Sequence, residues 1–265
     1  MMYDFHMHTN FSIDSKATME EMIQAGIKKG LKGLCFTDHI EFDSPLLIGD
    51  EFYDPMEYAT EIARLTAIYG DQIDIRMGVE LGWQPQAVDK MNAYVTSGDF
   101  DVVLCSLHTV DCKDLHTKDF SKDKTPAEAY MRYFEVYYEC VTDHCEFDIL
   151  SHYDLLKRHV PLDADQVFKD NYETAKATFT RLIEDGKGIE INTSGFRYNI
   201  NSSLPSTDFL KLYKELGGEI ITTGSDAHTP KDIANHFEHA YDLLRSIGFK
   251  YVTKFEKRIP KFIRI

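Results

Sequence analysis

The chain is short of cations. Lys and Arg number 29 against 44 Asp and Glu, a formal net charge of −15 at pH 7 over 265 residues. Affinity for a nucleic-acid duplex comes from cations that neutralise phosphates, so this balance argues against such a partner. It leaves room for an anionic small molecule held at a locally positive site. Cysteine is sparse. The five residues Cys35, Cys105, Cys112, Cys140 and Cys145 are odd in number and none forms a CxxC pair. A disulfide framework is therefore not expected, and Cys35 and Cys105, inside apolar runs, read as buried reduced thiols. No apolar run approaches membrane-spanning length, and no charged-then-apolar signal opens the chain. The expected compartment is the cytoplasm. Low-complexity linkers, charge blocks and composition shifts are also missing. Residues 1–265 are thus expected to form one domain, long enough for a large core.

What is present is a series of seven short apolar runs, at 3–8, 33–39, 75–82, 101–108, 147–154, 188–195 and 219–228. They show little strict alternation, as expected for strands covered on both faces. Helical patterns separate them. Thr18 and Glu21 make a capping box opening a helix that stops near Gly30. Further helices are predicted over 55–69, 85–95, 126–141, 163–184, 207–216 and 230–247, the last followed by a short basic tail. Long polar loops are expected at 40–54 and 109–125. Alternating strands and helices define an α/β chain, and seven strands rather than eight point to an incomplete or distorted barrel.

Six of the seven runs carry histidine or a carboxylate at or near their ends. The first ends in His6-Met7-His8, the second in Asp38-His39, the fourth in His108, and the last in Asp226-Ala227-His228; the third carries Glu80 and the fifth His152. Alternation along a strand puts His6 and His8 on one face, a geometry suited to chelation. Asp226 and His228 repeat it, and in a closed barrel the last strand neighbours the first. Glu80 is a charge inside an apolar run, which needs a partner. An imidazole and carboxylate donor set suits Zn, Mn or Fe(II), and its size exceeds what one ion needs. Two or three divalent ions bridged by carboxylates explain the count better.

These residues, with Thr37-Asp38-His39 and Ser225-Asp226-Ala227-His228, resemble the signature of the polymerase and histidinol phosphatase (PHP) superfamily across nearly the whole chain. Glu190-Ile191-Asn192-Thr193-Ser194-Gly195-Phe196-Arg197 and Ser151-His152-Tyr153-Asp154-Leu155-Leu156-Lys157-Arg158 are similar to its monofunctional histidinol-phosphate phosphatase branch. The resemblance implies a distorted (β/α)7 TIM-like barrel with three metal ions at the C-terminal mouth of the strands. The first ion would take His6, His8, Glu80 and Asp226. The second would share Glu80 and add His108 and His152. The third would take Asp14, His39 and His228; several members of the superfamily place histidine where this chain has Asp14. Asp38 is expected to hold an imidazole in its metal-binding tautomer.

The implied activity is metal-dependent hydrolysis of L-histidinol phosphate in histidine biosynthesis. Coordination would bring water's pKa near neutrality, and Asp226 and Glu80 would act in catalysis. Arg197, after a Ser-Gly turn, is expected to bind phosphate oxygens bidentately and stabilise their charge. Arg158 is a second candidate phosphate contact, with Lys157 and His159 beside it as alternatives. His116 and His159 could approach the substrate, while His144, His236 and His239 are expected on helices with no catalytic part. Two rival functions remain at this point. One is a PHP phosphoesterase or exonuclease acting on nucleotides or DNA ends; the other is a non-catalytic, metal-stabilised binding scaffold. The expected partner is a small phosphate monoester, with no membrane or nucleic acid, and the oligomeric state is open.

Overall fold

Each expected apolar run contains a strand in a computed structural model that describes residues 1–45, 50 and 52–265. In chain order these are β1 (Tyr3–Asp4), β2 (Gly33–Phe36), a short β3 (His39–Glu41), β4 (Asp74–Gly82) and β5 (Val102–Ser106). A small antiparallel hairpin follows, β6 (Thr109–Val110) with β7 (Lys113–Asp114), inside the region expected to be loop. The remaining core strands are β8 (Ile149–Leu150), β9 (Gly188–Asn192) and β10 (Ile221–Gly224). They pair in the order β1-β2-β4-β5-β8-β9-β10, all parallel, with β3 beside β4. Backbone bonds then join the first and last strands: Phe5 to Thr223, Asp226 to His6 and His8 to Ala227, each at 2.8 Å. The result is a distorted TIM-like barrel with its strand ends at one mouth.

The helices pack outside. They are α1 (Met19–Lys28), α2 (Pro55–Tyr69), α3 (Val88–Ser97), α4 (Pro126–Thr142), α5 (Ala164–Asp170), α6 (Tyr172–Glu184), α7 (Ser194–Arg197), α8 (Thr207–Glu215) and α9 (Phe237–Ile247). The Thr18–Glu21 capping box forms as expected and Gly30 ends the turn with φ of 75°. Three helix expectations change. The one over 163–184 breaks at Asn171, whose backbone leaves the helical region and whose amide donates to the Val167 carbonyl. The one over 230–247 begins only at Phe237, because Ala234 and His236 adopt left-handed φ values of 50° and 58°. The one over 85–95 opens as a short tight turn, Pro85–Ala87, before α3. His144 lies beyond α4 and not on it. Within the loop expected at 40–54, β3 occupies the start, and residues 46–49 and 51 lie outside the described residues. No helix among the described residues is long and apolar enough to cross a membrane.

The basic tail is an antiparallel hairpin, β11 (Tyr251–Glu256) and β12 (Ile259–Arg264). It seals the end of the barrel opposite the mouth. Phe255 is buried against Phe5, Cys35, Val102, Leu104 and Ile149. Cations of the hairpin meet carboxylates at the strand starts, Lys254 to Asp74 and Arg258 to Asp148, both at 2.9 Å. Phe255→Ala should therefore cost about 3–5 kcal/mol, the range for deleting a buried aromatic ring. A denaturant titration checks this; a loss under about 1 kcal/mol would mean the hairpin is only draped on the surface.

Candidate metal centre

Strand register places the donors. In the pairing of β3 with β4, His39 stands opposite Glu80. The bridge between Met7 and Ala227 sets His6 and His8 beside Asp226 and His228 across the barrel seam. Two of these residues hold unusual backbones, Asp226 with φ of 53° and His152 with φ of 25°. For non-glycine residues such conformations cost about 1–3 kcal/mol each and concentrate at functional sites.

Glu80 is the hub. Its Oε2 lies 3.2 Å from His6 Nε2, 3.4 Å from His8 Nε2 and 3.0 Å from His39 Nδ1. Its Oε1 lies 2.9 Å from His152 Nε2 and 3.5 Å from His108 Nε2, and accepts from Ser106. Asp226 Oδ1 is 3.5 Å from His8 Nε2 and 4.0 Å from His6 Nε2. At the rim, Asp14 Oδ2 is 2.9 Å from His228 Nε2 and 3.5 Å from His39 Nε2. The side chains named from the sequence lie close together at the mouth, and the tight clusters they form there are His6, His8 and Glu80; Glu80, His108 and His152; and His8, His39 and His228.

The donor set fits divalent ions on two observations. Glu80 Oε2 and His39 Nδ1 are buried and make no hydrogen bond, although ring nitrogens crowd the carboxylate oxygen. His6 Nε2 and His8 Nε2 sit 3.1 Å apart, two nitrogens aimed at one point beside Glu80. A cation there would be offered both ring nitrogens and the carboxylate oxygen together.

Without ions the centre stores protons. Burial opposes charge on His6, but Glu190 and Glu80 outweigh it and raise its pKa. His39 rises against burial through Glu80 and Asp14. His108 is pushed up to about 10, burial again being overcome by Glu41 and Glu80. His8 goes the other way: burial, then His39 and His228, hold it well below its usual value. Burial would raise Glu80, yet His6, His39 and His108 bring it well below the carboxylate range.

Two contacts differ from those expected of the sequence. Asp38 touches no imidazole directly. It accepts from Thr9, Tyr58 and Ser12, and Ser12 Oγ in turn lies 3.3 Å from His8 Nδ1. Arg197, expected at the phosphate, donates Nη1 to the Ser225 carbonyl and Nη2 to the Asp226 carbonyl, both at 2.6 Å. The arginine that lines the mouth is Arg158. Its Nη2 reaches Ser194 Oγ at 2.7 Å and Asp226 Oδ2 at 3.3 Å, its guanidinium lies 4.0 Å over the Tyr198 ring, and its buried Nε has no partner. Glu41 and Glu190 are contacts the sequence reading did not assign, 2.5 Å from His108 Nδ1 and 2.8 Å from His6 Nδ1.

A cavity of about 490 Å³ opens at the mouth, lined by Glu80, His39, His108, His152 and Asp226, with His228 at its rim. Leu115, His116, Leu155, His159 and Tyr198 form its outer wall. His116 and His159 meet edge to face at 5.8 Å, and burial together with Arg158 lowers the His159 pKa to about 4.

A parallel barrel whose strand ends gather imidazoles and carboxylates around one central glutamate fits the TIM-like hydrolases whose donor sets take divalent metals. Its family follows from comparison: the PHP domain matches residues 4–194, and the chain belongs to that family. Over 99% of its length it is 30% identical to a probable histidinol-phosphatase of Clostridium acetobutylicum, covering 100% of that protein. A histidinol-phosphatase of Lactococcus lactis is also 30% identical, over 95% of this chain and 93% of its own. The fold is similar to the crystal structure of histidinol phosphate phosphatase from Lactococcus lactis complexed with zinc, L-histidinol and phosphate, with a TM-score of 0.90, 28% identity and 98% of each chain covered.

Proposed function

We propose that this protein is a histidinol-phosphatase, hydrolysing L-histidinol phosphate to L-histidinol and phosphate in histidine biosynthesis. The observation that carries the reading is the Glu80-centred donor cluster opening into a cavity edged by Arg158, in a chain whose relatives over full length are histidinol-phosphatases. Two to three divalent ions, drawn from Zn, Mn and Fe, would be held in three groups: His6, His8, Glu80 and Asp226; Glu80, His108 and His152; Asp14, His39 and His228. Bound there, they supply the Lewis acidity that activates water and offsets charge on phosphoryl oxygens. Arg158 lines the cavity and offers its guanidinium to the phosphate, braced by Tyr198 and Ser194. Asp226 joins that arginine to the first metal group through its two carboxylate oxygens. Arg197 pins the left-handed turn that presents Asp226. The outer wall receives the alcohol half of the substrate. An acidic chain with a positive focus only at the loaded site favours a small dianion over long nucleic acid. Five free thiols, four of them buried, support a reducing cytoplasm.

Phosphate release from histidinol phosphate, nucleoside monophosphates and a generic aryl phosphate tests the substrate. Catalytic efficiency for histidinol phosphate should exceed the others by at least about a hundredfold; a preference for nucleotides overturns the assignment. The two arginines are tested apart. Arg158→Ala should keep full metal content and lose roughly 2–4 kcal/mol of transition-state stabilisation, with product phosphate inhibiting less well. Arg158→Lys should recover only part, since an ammonium lacks the planar fork. Arg197→Ala should lower metal occupancy as well as rate. Normal kinetics in Arg158→Ala would remove that residue from the phosphate site.

A further inference from the structure

Two glutamates stand in the same relation to the metal centre. Glu190 Oε1 is 2.8 Å from His6 Nδ1, and Glu41 Oε1 is 2.5 Å from His108 Nδ1. In both rings the other nitrogen, Nε2, faces Glu80, at 3.2 Å for His6 and 3.5 Å for His108. Each carboxylate also occupies space that a side chain would take. A Cβ at Gly82 would overlap only the carboxylate of Glu41, and a Cβ at Gly224 would overlap Glu190 and, beside it, the Cβ of His6. Neither glycine has positive φ, and both end strands, Gly82 in β4 and Gly224 in β10. Backbone conformation does not require glycine at these positions; room for the Glu41 carboxylate does at Gly82, and room for Glu190 and the His6 Cβ does at Gly224.

A carboxylate on Nδ1 keeps the proton there, leaves the Nε2 lone pair free and makes it a better donor. We infer that Glu41 and Glu190 are positioning residues that orient His108 and His6 towards the two ions sharing Glu80, and that Gly82 and Gly224 are the notches that admit them. The device repeats once per ion, on different strands, from residues far apart in the chain. It rests on the reading of this cluster as a metal centre and not on the identity of the substrate.

The test is zinc binding by metal-free protein in competition with a chromogenic chelator, with the visible spectrum of the Co(II)-loaded form as a second readout. Glu41→Gln, which preserves volume, should weaken one class of site about ten- to a hundredfold and shift the Co(II) bands. Gly82→Ala should weaken zinc binding similarly while Glu41 is present, and by less than about twofold in a Glu41→Ala background, where the notch is empty. Glu190→Gln, tested singly, should weaken zinc binding in the same way through His6. Equal losses from Gly82→Ala in both backgrounds, or wild-type affinity and spectrum in Glu41→Gln, would overturn the inference. Should Gly82→Ala fail to fold, Glu41→Gln decides alone. A wild-type protein that binds no zinc would sink the metal-centre reading itself, a result distinct from equal binding by wild type and variant.

Discussion

Glu80→Gln should cut turnover at least about a thousandfold, the scale of removing a principal electrostatic element from an active site, and should reduce metal content with it. Both carboxylate oxygens are committed. Oε2 faces His6, His8 and His39, while Oε1 faces His108 and His152. An amide of the same shape offers one oxygen and one NH2 group, so one of the two ions it would bridge loses a donor and gains a repelling dipole. The loss of charge matters too, because Glu80 is buried and is balanced by imidazoles on every side. His228→Asn should be milder. His228 faces Asp14 at the rim and, on the proposed assignment, would serve only the third group. Near-normal turnover in Glu80→Gln would show that Glu80 bridges nothing.

Chelation should abolish phosphate release, and Zn or Mn should restore it. The transition has a pH signature. At neutrality the metal-free centre keeps protons on His6, His39 and His108, whose pKa values are raised by neighbouring carboxylates against the effect of burial. Ions must displace those protons, so adding zinc to metal-free protein should acidify a weakly buffered solution, and apparent affinity should rise with pH. Stability follows the same linkage. A raised imidazole stabilises the metal-free fold fully below its unfolded pKa of 6.5 and loses that contribution as pH rises through the folded value, about 10 for His108. The depressed carboxylates of Glu80 and Asp226 act oppositely, losing theirs as pH falls. Metal-free protein should therefore lose stability between about pH 6.5 and 10, whereas zinc-loaded protein should hold steady there. Denaturation midpoints across that range, with and without zinc, provide the check. Coincident curves, or full activity in protein stripped of metal, would exclude the mechanism.

The strand ends could be read from the chain because two signals coincide at each: an apolar run of strand length and a polar residue where it stops. That coincidence exposed His6, His8, His39, Glu80, His108, His152, Asp226 and His228 together. Glu190 carried the signal that marked Glu80, a charge inside an apolar run, Gly188-Ile189-Glu190-Ile191. Glu41 was hidden because β3 is only three residues long and opens a polar stretch, although His39-Ile40-Glu41 repeats the alternation of His6-Met7-His8. The arginines show a different limit. Arg158 and Arg197 both follow strand ends at the mouth, and nothing local states which guanidinium turns to the cavity and which to the carbonyls of Ser225 and Asp226. Breaks at Asn171 and before Phe237 were invisible for the same reason, since apolar periodicity runs through both.

The seam between the first and last strands runs through the donor set. His6 and His8 stand on one side, Asp226 and His228 on the other, and the backbone bonds of Phe5, His8 and Asp226 close the gap between them. An ion held by His6, His8 and Asp226 is therefore a clasp on the barrel's closure. No stretch of chain that stops short of residue 226 contains the full set proposed for the first ion, so a polypeptide truncated before it would have no competent site to load. Acquisition of that ion would report that the barrel has closed, and its retention would resist any opening that begins by parting β1 from β10.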